Sequence, residues 1–221
     1  MSTPDPRPAK RLRRTSAPTT APVAAPAAPT TPSGKPQRHF AIIGAGMAGI
    51  ACARTLVQAG HRVTVFEKSA QAGGRTATID TPFGNFDAGA QYFTVRDPRF
   101  ARAIDTVPGI CKRWSANSVQ VLDAAGRVAA AGLPHREAHW VASPGMQALV
   151  GTWAEPLRQA GQLLTDTRVT RIEPDPLNTP GWQLRTEGPG GSQHVYAGFD
   201  AVLLAQPAVP AQALLASSAV D

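Results

Sequence analysis

The chain has 221 residues, 43% of them hydrophobic, with 21 prolines, 20 glycines and a formal charge of +7, enough for one large domain or two small ones around a buried core. Residues 1–38 hold Arg7, Lys10, Arg11, Arg13, Arg14, Lys35 and Arg38 against Asp5, so +6 of the charge sits there and the remainder is left at +1, too near neutral for a nucleic-acid-binding domain. Two cysteines, Cys52 and Cys111, are too few for a disulfide framework or a thiolate metal site and suit a reducing cytosol, and no apolar run nears the ~18 residues of a membrane-spanning helix.

Nine of the 21 prolines fall within residues 1–38, interleaved with Ala, Thr and Ser. Such a segment cannot bury enough apolar surface to offset its ordering entropy, so 1–38 is expected to be a disordered, Pro/Ala-rich basic tail. Its cluster KRLRR, Lys10 to Arg14, reads either as solvated charge or as a nucleic-acid or targeting patch. No continuous apolar stretch follows it, which excludes a secretory or twin-arginine signal.

The character changes at His39. Phe40–Ile43 is a continuous apolar run, as expected of a parallel strand covered on both faces. Gly44-Ala45-Gly46-Met47-Ala48-Gly49 follows at once, then Ile50, Ala53, Leu56 and Val57 at helical spacing, with Gly60 as the stop. A second strand, Arg62 to Phe66, ends at Glu67. In this βαβ start Gly44 permits the tight turn, Gly46 lets the backbone approach a pyrophosphate, and Gly49 lets the helix pack close to the strand. The pyrophosphate would sit on the helix N-terminus, where free N–H groups and the dipole favour an anion. Glu67 is placed to accept hydrogen bonds from the adenosine ribose hydroxyls, so Glu67→Gln is expected to weaken the ligand roughly tenfold with the fold intact. NAD, NADP and FAD share this fingerprint. Gly73-Gly74-Arg75 adds a second close backbone approach and a guanidinium able to neutralise a pyrophosphate through paired donors.

Further along, Thr76–Ile79 and Phe83–Asp87 are expected to form a hairpin that delivers Gly89 and Gln91 into the cleft. Asp97-Pro98 makes an N-cap and first-turn pair for a helix through Phe100, Ile104 and Asp105. Val119–Leu122 and Val128–Ala131 read as a second hairpin in an insertion that also holds Trp114 and Trp140. Ser143-Pro144-Gly145 opens the next helix, and Pro156 is expected to break it. Val169–Ile172, Trp182–Arg185 and His194–Tyr196 read as a β-meander, and Ala201–Ala205 as another buried parallel strand. The five histidines form no metal-ligand pattern, and no Ser-His-Asp arrangement or other catalytic residue can be argued.

AIIGAGMAG, the strand ending in Glu67, GGR and DAGAQYFT (Asp87 to Thr94) together resemble the FAD-binding amine oxidase superfamily, most closely its renalase-like branch. The likeness continues through WVASPGMQAL (Trp140 to Leu149), TRVTRIE (Thr167 to Glu173), GWQLRT (Gly181 to Thr186) and FDAVLLAQPAVPAQALL (Phe199 to Leu215). It implies an α/β, Rossmann-like FAD/NAD(P)-binding domain of the glutathione-reductase type with a β-rich insertion and part of a substrate domain. The implied organisation is the tail at 1–38, an FAD-binding βαβ unit and hairpin at 39–95, a partial substrate-domain insertion at 96–142, and a return to the FAD-binding domain at 143–221. It also implies that a C-terminal portion of the family fold is absent.

By the same resemblance the cofactor is FAD. Its ADP half would be held by Gly44, Ala45, Gly46, Met47, Ala48, Gly49, Glu67, Lys68, Gly74 and Arg75. Ala90, Gln91 and Tyr92 would lie near the flavin, and Val169 beside the adenine, although Tyr92 reads equally well as plain core. The implied activity is hydride transfer to FAD from a small substrate, a reduced nicotinamide isomer or an amine, with O2 as the final acceptor. The expected setting is cytoplasmic, with neither nucleic acid nor membrane as partner. A non-catalytic or truncated dinucleotide-binding module is the rival reading.

Overall fold

The structure, a computed structural model, describes residues 36–114, 121–130 and 138–218. The expected tail up to residue 35, with its KRLRR cluster, lies outside the described residues, as do Val119, Gln120 and Ala131 of the expected second hairpin. In chain order the strands are β1 (His39–Ile43), β2 (Arg62–Phe66), β3 (Thr78–Thr81), β4 (Gly84–Asp87), β5 (Phe93–Thr94), β6 (Cys111–Arg113), β7 (Val121–Leu122), β8 (Val128–Ala130), β9 (His139–Ala142), β10 (Leu163–Leu164), β11 (Arg168–Pro174), β12 (Trp182–Glu187), β13 (Gln193–Phe199) and β14 (Ala201–Leu204). The α-helices are α1 (Met47–Gln58), α2 (Pro98–Asp105), α3 (Gln147–Gln159) and α4 (Ala208–Ala216).

β1 is apolar throughout because it is central: a parallel sheet runs β10-β2-β1-β14, and both faces of β1 are covered. Ile42 enters a core with Ile50, Ala53, Val63, Val65, Leu149, Val150 and Trp153, which brings α1 and α3 onto one face. Its neighbours Ala41 and Ile43 point the other way, into a second core with Phe66, Val169, Ile172, Leu184, Phe199 and Leu214. That face carries the antiparallel meander β11-β12-β13. The period-2 alternation of a strand thus sorts one short run into two cores and gives three layers. Each fully buried Ile or Leu side chain here contributes about 1.5–3 kcal/mol.

α1 ends as the glycine predicts. Gly60 takes φ +85, and His61 N–H bonds back to Leu56 O at 3.0 Å while Gly60 N–H bonds Val57 O at 2.9 Å. Val57 does not join the core. It is 39% exposed, since the buried stripe follows Gly49, Ile50 and Ala53. Just before β1, Gln37 Nε2 donates to Gly60 O at 3.0 Å and Arg62 N–H to Arg38 O at 2.8 Å, so these two residues are tied to the start of β2.

Three local expectations need correction. The first hairpin starts later, with β3 at Thr78 and Gly84 inside β4, and turns at Pro82-Phe83. α3 starts at Gln147 because its cap comes from elsewhere in the chain: Asp87 Oδ1 accepts from Met146 N–H at 2.8 Å. Pro156 does not break α3 either. Burial of Trp153, Ala154 and Leu157 holds the last turn together, and Ala160 N–H still bonds Pro156 O at 3.1 Å; this packing outweighs the roughly 3 kcal/mol that an interior proline costs. Unforeseen were β10, the antiparallel sheet β5-β9-β6, and α4.

α2 follows its sequence signature closely. Asp97 Oδ1 accepts from Arg99 N–H at 2.7 Å, with Pro98 in the first turn. Bonds from the Arg99 side chain and backbone hold the Asp97 carboxyl at about 2, against an ordinary 3.8. Because the folded value is the lower one, the cap's contribution is complete above pH 3.8 and is lost as pH falls through 2. An NMR titration of the Asp97 carboxyl is expected to give a midpoint near 2; a midpoint near the ordinary value would mean that Asp97 does not cap α2. Among the described residues no helix is long and apolar enough to cross a membrane, and no group of three or more His, Cys, Asp or Glu could hold a metal ion.

Candidate dinucleotide site

In the parallel sheet β2 and β10 lie to one side of β1 and β14 lies to the other. The crevice beyond the C-terminal ends of β1 and β14 is therefore a topological switch point, where open α/β sheets bind ligands. Gly44 turns the chain there at φ +105, and a Cβ on it would come within 3.2–3.3 Å of the Ala205 carbonyl and Gln206 N. Only glycine meets both demands. A Cβ on Gly49 would run into Gly44 O, so this glycine sets how closely α1 packs on the β1 turn. Gly46 differs: the nearest atom to its missing Cβ is Gly73 O at 3.9 Å. The chain itself does not need glycine there, and the space beside Gly46 stays open.

A second glycine loop closes on the first. Gly73 N–H donates to Ala45 O at 2.9 Å, Gly46 and Gly73 form a parallel bridge, and a Cβ on Gly74, itself at φ +56, would lie 3.2 Å from Gly46 Cα. α1 begins without a side-chain cap or an acid in its first turn, and its first backbone N–H groups, on Met47, Ala48 and Gly49, have no intrahelical acceptor. Ile50 N–H is the first to bond back, to Gly46 O at 3.0 Å. Free amide donors, a positive helix end and the exposed guanidinium of Arg75 suit a pyrophosphate.

Glu67 is only 6% exposed. Its Oε2 accepts from Ala45 N–H at 2.8 Å and its Oε1 from Ser69 N–H at 2.9 Å. A carboxylate has about four acceptor positions, so two are left beyond these backbone donors. Lys68, next to it, is exposed. Ala90 N–H donates to Arg75 O at 2.9 Å, and a Cβ on Gly89 would meet the same oxygen, which lays the DAGAQ segment along the GGR loop. Gln91 follows, exposed.

Val169 is 9% exposed and packs with Phe66 and Ile43. Two residues before it, Thr167 N–H bonds Glu67 O at 2.8 Å, and β11 is the edge strand of its sheet. Tyr92 is neither core nor at the glycine loops. It is 42% exposed and stacks on His139 at 4.2 Å and Trp114 at 5.8 Å. The same β5-β9-β6 region carries a cleft of about 330 Å³ lined by Thr94, Val95, Arg113, Ala138 and Trp140, separate from the glycine loops. A polar junction of Thr78, Asp87 and Gln147 went unanticipated. It joins the start of α3 at Met146 and Gln147 to Asp87 and Thr78, 59–69 residues earlier in the chain, beyond any local pattern.

Parallel sheet, helices α1 and α3 on one face, meander on the other and paired glycine loops at the switch point define a Rossmann-like dinucleotide-binding α/β domain. Residues 42–107 match the family model of the NAD(P)-binding Rossmann-like domain. Over its N-terminal part the chain is homologous to L-amino-acid oxidases. It is 47% identical over 55 residues to the Bacillus subtilis (strain 168) protein named as L-amino-acid oxidase YobN, a stretch of 24% of this chain and 12% of that protein. It is 54% identical over 41 residues to L-amino acid oxidase Lm29 of Lachesis muta, 19% of this chain and 8% of that protein. A third relative is a 4,4'-diapophytoene desaturase of Staphylococcus haemolyticus (strain JCSC1435), 42% identical over 58 residues, 26% of this chain and 12% of that protein. The matches thus span only about a tenth of these relatives' length. Among solved structures, a putrescine oxidase mutant made in a redesign of cofactor binding shares the fold with a TM-score of 0.58 at 15% identity, covering 80% of this chain and 60% of that one.

Proposed function

We propose that the chain binds FAD and serves a flavin oxidoreductase of the amine-oxidase kind. The observation that carries this reading is the convergence of the buried Glu67 carboxylate, the uncapped α1 N-terminus and two clasped glycine loops at one end of β1. These features suit, in turn, ribose hydroxyls, a pyrophosphate and its close approach to backbone. A negative carboxylate beside the ribose disfavours the 2′-phosphate of NADP. The space left by the missing Gly46 Cβ fits the group.

Gly44 to Gly49, Glu67, Gly74 and Arg75 would hold the ADP half, with adenine against the edge strand near Val169. The segment from Ala90, bonded to Arg75, through Gln91 leads the chain on from the pyrophosphate groove. When bound, FAD would supply hydride acceptance, with O2 as the final electron acceptor. The chain's own residues bind and orient it. Likeness to L-amino-acid oxidases and putrescine oxidase supports an amine or amino acid as substrate. The Gln91-Tyr92 pair within DAGAQYFT supports a reduced nicotinamide isomer, as in the renalase-like branch.

The test is to titrate the purified chain with FAD, ADP and adenosine, count retained flavin, and follow O2 uptake with amines and with reduced nicotinamides. Retained flavin that ADP displaces is expected. Binding of ADP without flavin would reduce the chain to a nucleotide-binding module, and indifference to both would overturn the reading. Arg75→Met removes a charge-assisted contact worth about 1.5–3 kcal/mol, so ADP is expected to bind roughly 10- to 100-fold more weakly while adenosine is unaffected. Equal losses for the two ligands would take Arg75 off the pyrophosphate.

A further inference from the structure

We propose that Gln147 is a positioning residue of the nucleotide site, a staple that sets the Gly73–Gly74 loop against the first glycine loop and so fixes the width of the pyrophosphate groove. This rests on the dinucleotide reading above. Gln147 is the first residue of α3, and its side chain reaches residues before and after the Gly73–Gly74 loop. Its Nε2 donates to Ala72 O at 2.8 Å and to Gln71 Oε1 at 2.7 Å. Its Oε1 accepts from Thr78 N–H at 3.0 Å, and its own backbone N–H donates to Thr78 Oγ1 at 3.2 Å. Both polar ends of one side chain are used, and the groups they hold bracket the loop: Ala72 immediately before Gly73, Thr78 just after the turn that follows Arg75.

The consequence reaches the groove in one further bond. The residue after Ala72 is Gly73, whose N–H donates to Ala45 O at 2.9 Å; fixing Ala72 fixes that donor. Gln147 also lies against Gly73 directly, since a Cβ there would come within 2.9 Å of Gln147 Cγ. Asp87 braces the arrangement. Its Oδ1 accepts from Thr78 Oγ1 at 2.7 Å and from Met146 N–H at 2.8 Å. The Thr78 hydroxyl proton therefore points at Asp87, which leaves the hydroxyl oxygen free to accept from Gln147 N–H. Asp87 opens the DAGAQ segment, so the GGR loop, that segment and the start of α3 meet at one polar point.

A purely structural role would tie this junction to α3 alone. α3, however, is already held by the buried Leu149, Val150, Trp153, Ala154 and Leu157, so removing the Gln147 side chain leaves the helix in place and frees the loop. Gln147→Met keeps the length and loses every side-chain polar contact, while the backbone N–H can still donate to Thr78 Oγ1. Gln147→Glu keeps an acceptor for Thr78 N–H but, ionised, turns a carboxylate oxygen toward Ala72 O and Gln71 Oε1. Protonated, it can donate again, and its ordinary titration lies near pH ~4.3, raised further by the facing oxygens.

Three measurements on the full chain test this. Hydrogen exchange of the Gly73 amide in the unliganded protein is expected to quicken about tenfold in both variants, as a lost hydrogen bond of ordinary strength implies, while amides of Val150 to Leu157 are unchanged. ADP is expected to bind about tenfold more weakly to both at pH 8, with adenosine within twofold of wild type. In Gln147→Glu alone, ADP affinity relative to wild type at the same pH is expected to recover as pH is lowered from 8 to about 4. Unchanged Gly73 exchange, parallel loss of ADP and adenosine, or absence of the pH recovery would overturn the staple. Wild-type chain that binds no ADP would overturn the dinucleotide reading instead, and the Gly73 exchange separates the two failures.

Discussion

Gly49→Ala is expected to lower the melting temperature by roughly 6–12 °C, corresponding to a loss of about 3 kcal/mol. The added methyl would run into Gly44 O and lie 3.2 Å from the Ala205 Cβ. Gly44 has little room to retreat, because even one added carbon on it would lie 3.2–3.3 Å from the Ala205 carbonyl and Gln206 N. The sign makes this a sharp test. Helix propensity alone would have Ala stabilise an interior helical position by about 1 kcal/mol, so a thermal melt distinguishes close helix–strand packing from propensity. Gly46→Ala supplies the contrast. Its methyl has no neighbour nearer than 3.9 Å, so stability is expected to hold to within about 1 kcal/mol while ADP binding is lost. A Gly49→Ala protein that melts like wild type would mean that α1 does not sit where the structure has it.

The second large effect is expected at Glu67. An amide in place of the carboxylate keeps one acceptor oxygen, yet two backbone N–H groups, of Ala45 and Ser69, each need one. Whichever way the amide turns, an NH2 faces an N–H. At 6% exposure water does not repair the mismatch, and an unsatisfied buried donor costs about 1–3 kcal/mol. Glu67→Gln is therefore expected to lower the denaturation midpoint and to weaken ADP at least about tenfold together. The expectation that the fold would be untouched is thereby revised: the residue shapes the loop as well as serving the ligand. A normal denaturant midpoint in Glu67→Gln would show that its carboxylate does not hold the glycine loop.

What could be read ahead of the structure follows from where the physical signal is local. The strand–glycine–helix–strand start was legible because buried parallel strands need continuous apolar runs and the turn needs glycine at fixed offsets. Asp97-Pro98 was legible because cap and first turn are neighbours in sequence. β5 and β10, two residues each, are too short for any period to show. Pro156 misled because local sterics oppose a helix there, while Trp153, Ala154 and Leu157 decide the matter by packing. Gln147 was invisible for the same reason: its partners are 69–76 residues away, and nothing about a glutamine opening a helix marks it. Tyr92, within DAGAQYFT, reads equally as core from sequence, but pairing of the next residue, Phe93, with Trp140 leaves its ring half exposed and stacked on His139 and Trp114.

The pairing of β1 with β14 has a consequence for how the protein is made. Phe40 sits opposite Ala201, and the two strands are also joined at their starts by His39 N–H to Asp200 Oδ2, a separation of 161 residues. On a ribosome adding about 5–20 residues per second, β1 stands with one flank bare for roughly seven to thirty seconds after its β2 side has been made. During that interval the turn at Gly44 lacks the Ala205 wall against which it is set, so the nascent chain has the glycine signature before it has the finished groove. Capture of the proposed nucleotide would thus be a late event of biogenesis, and a chaperone that shields an unpaired apolar strand would act on β1 first.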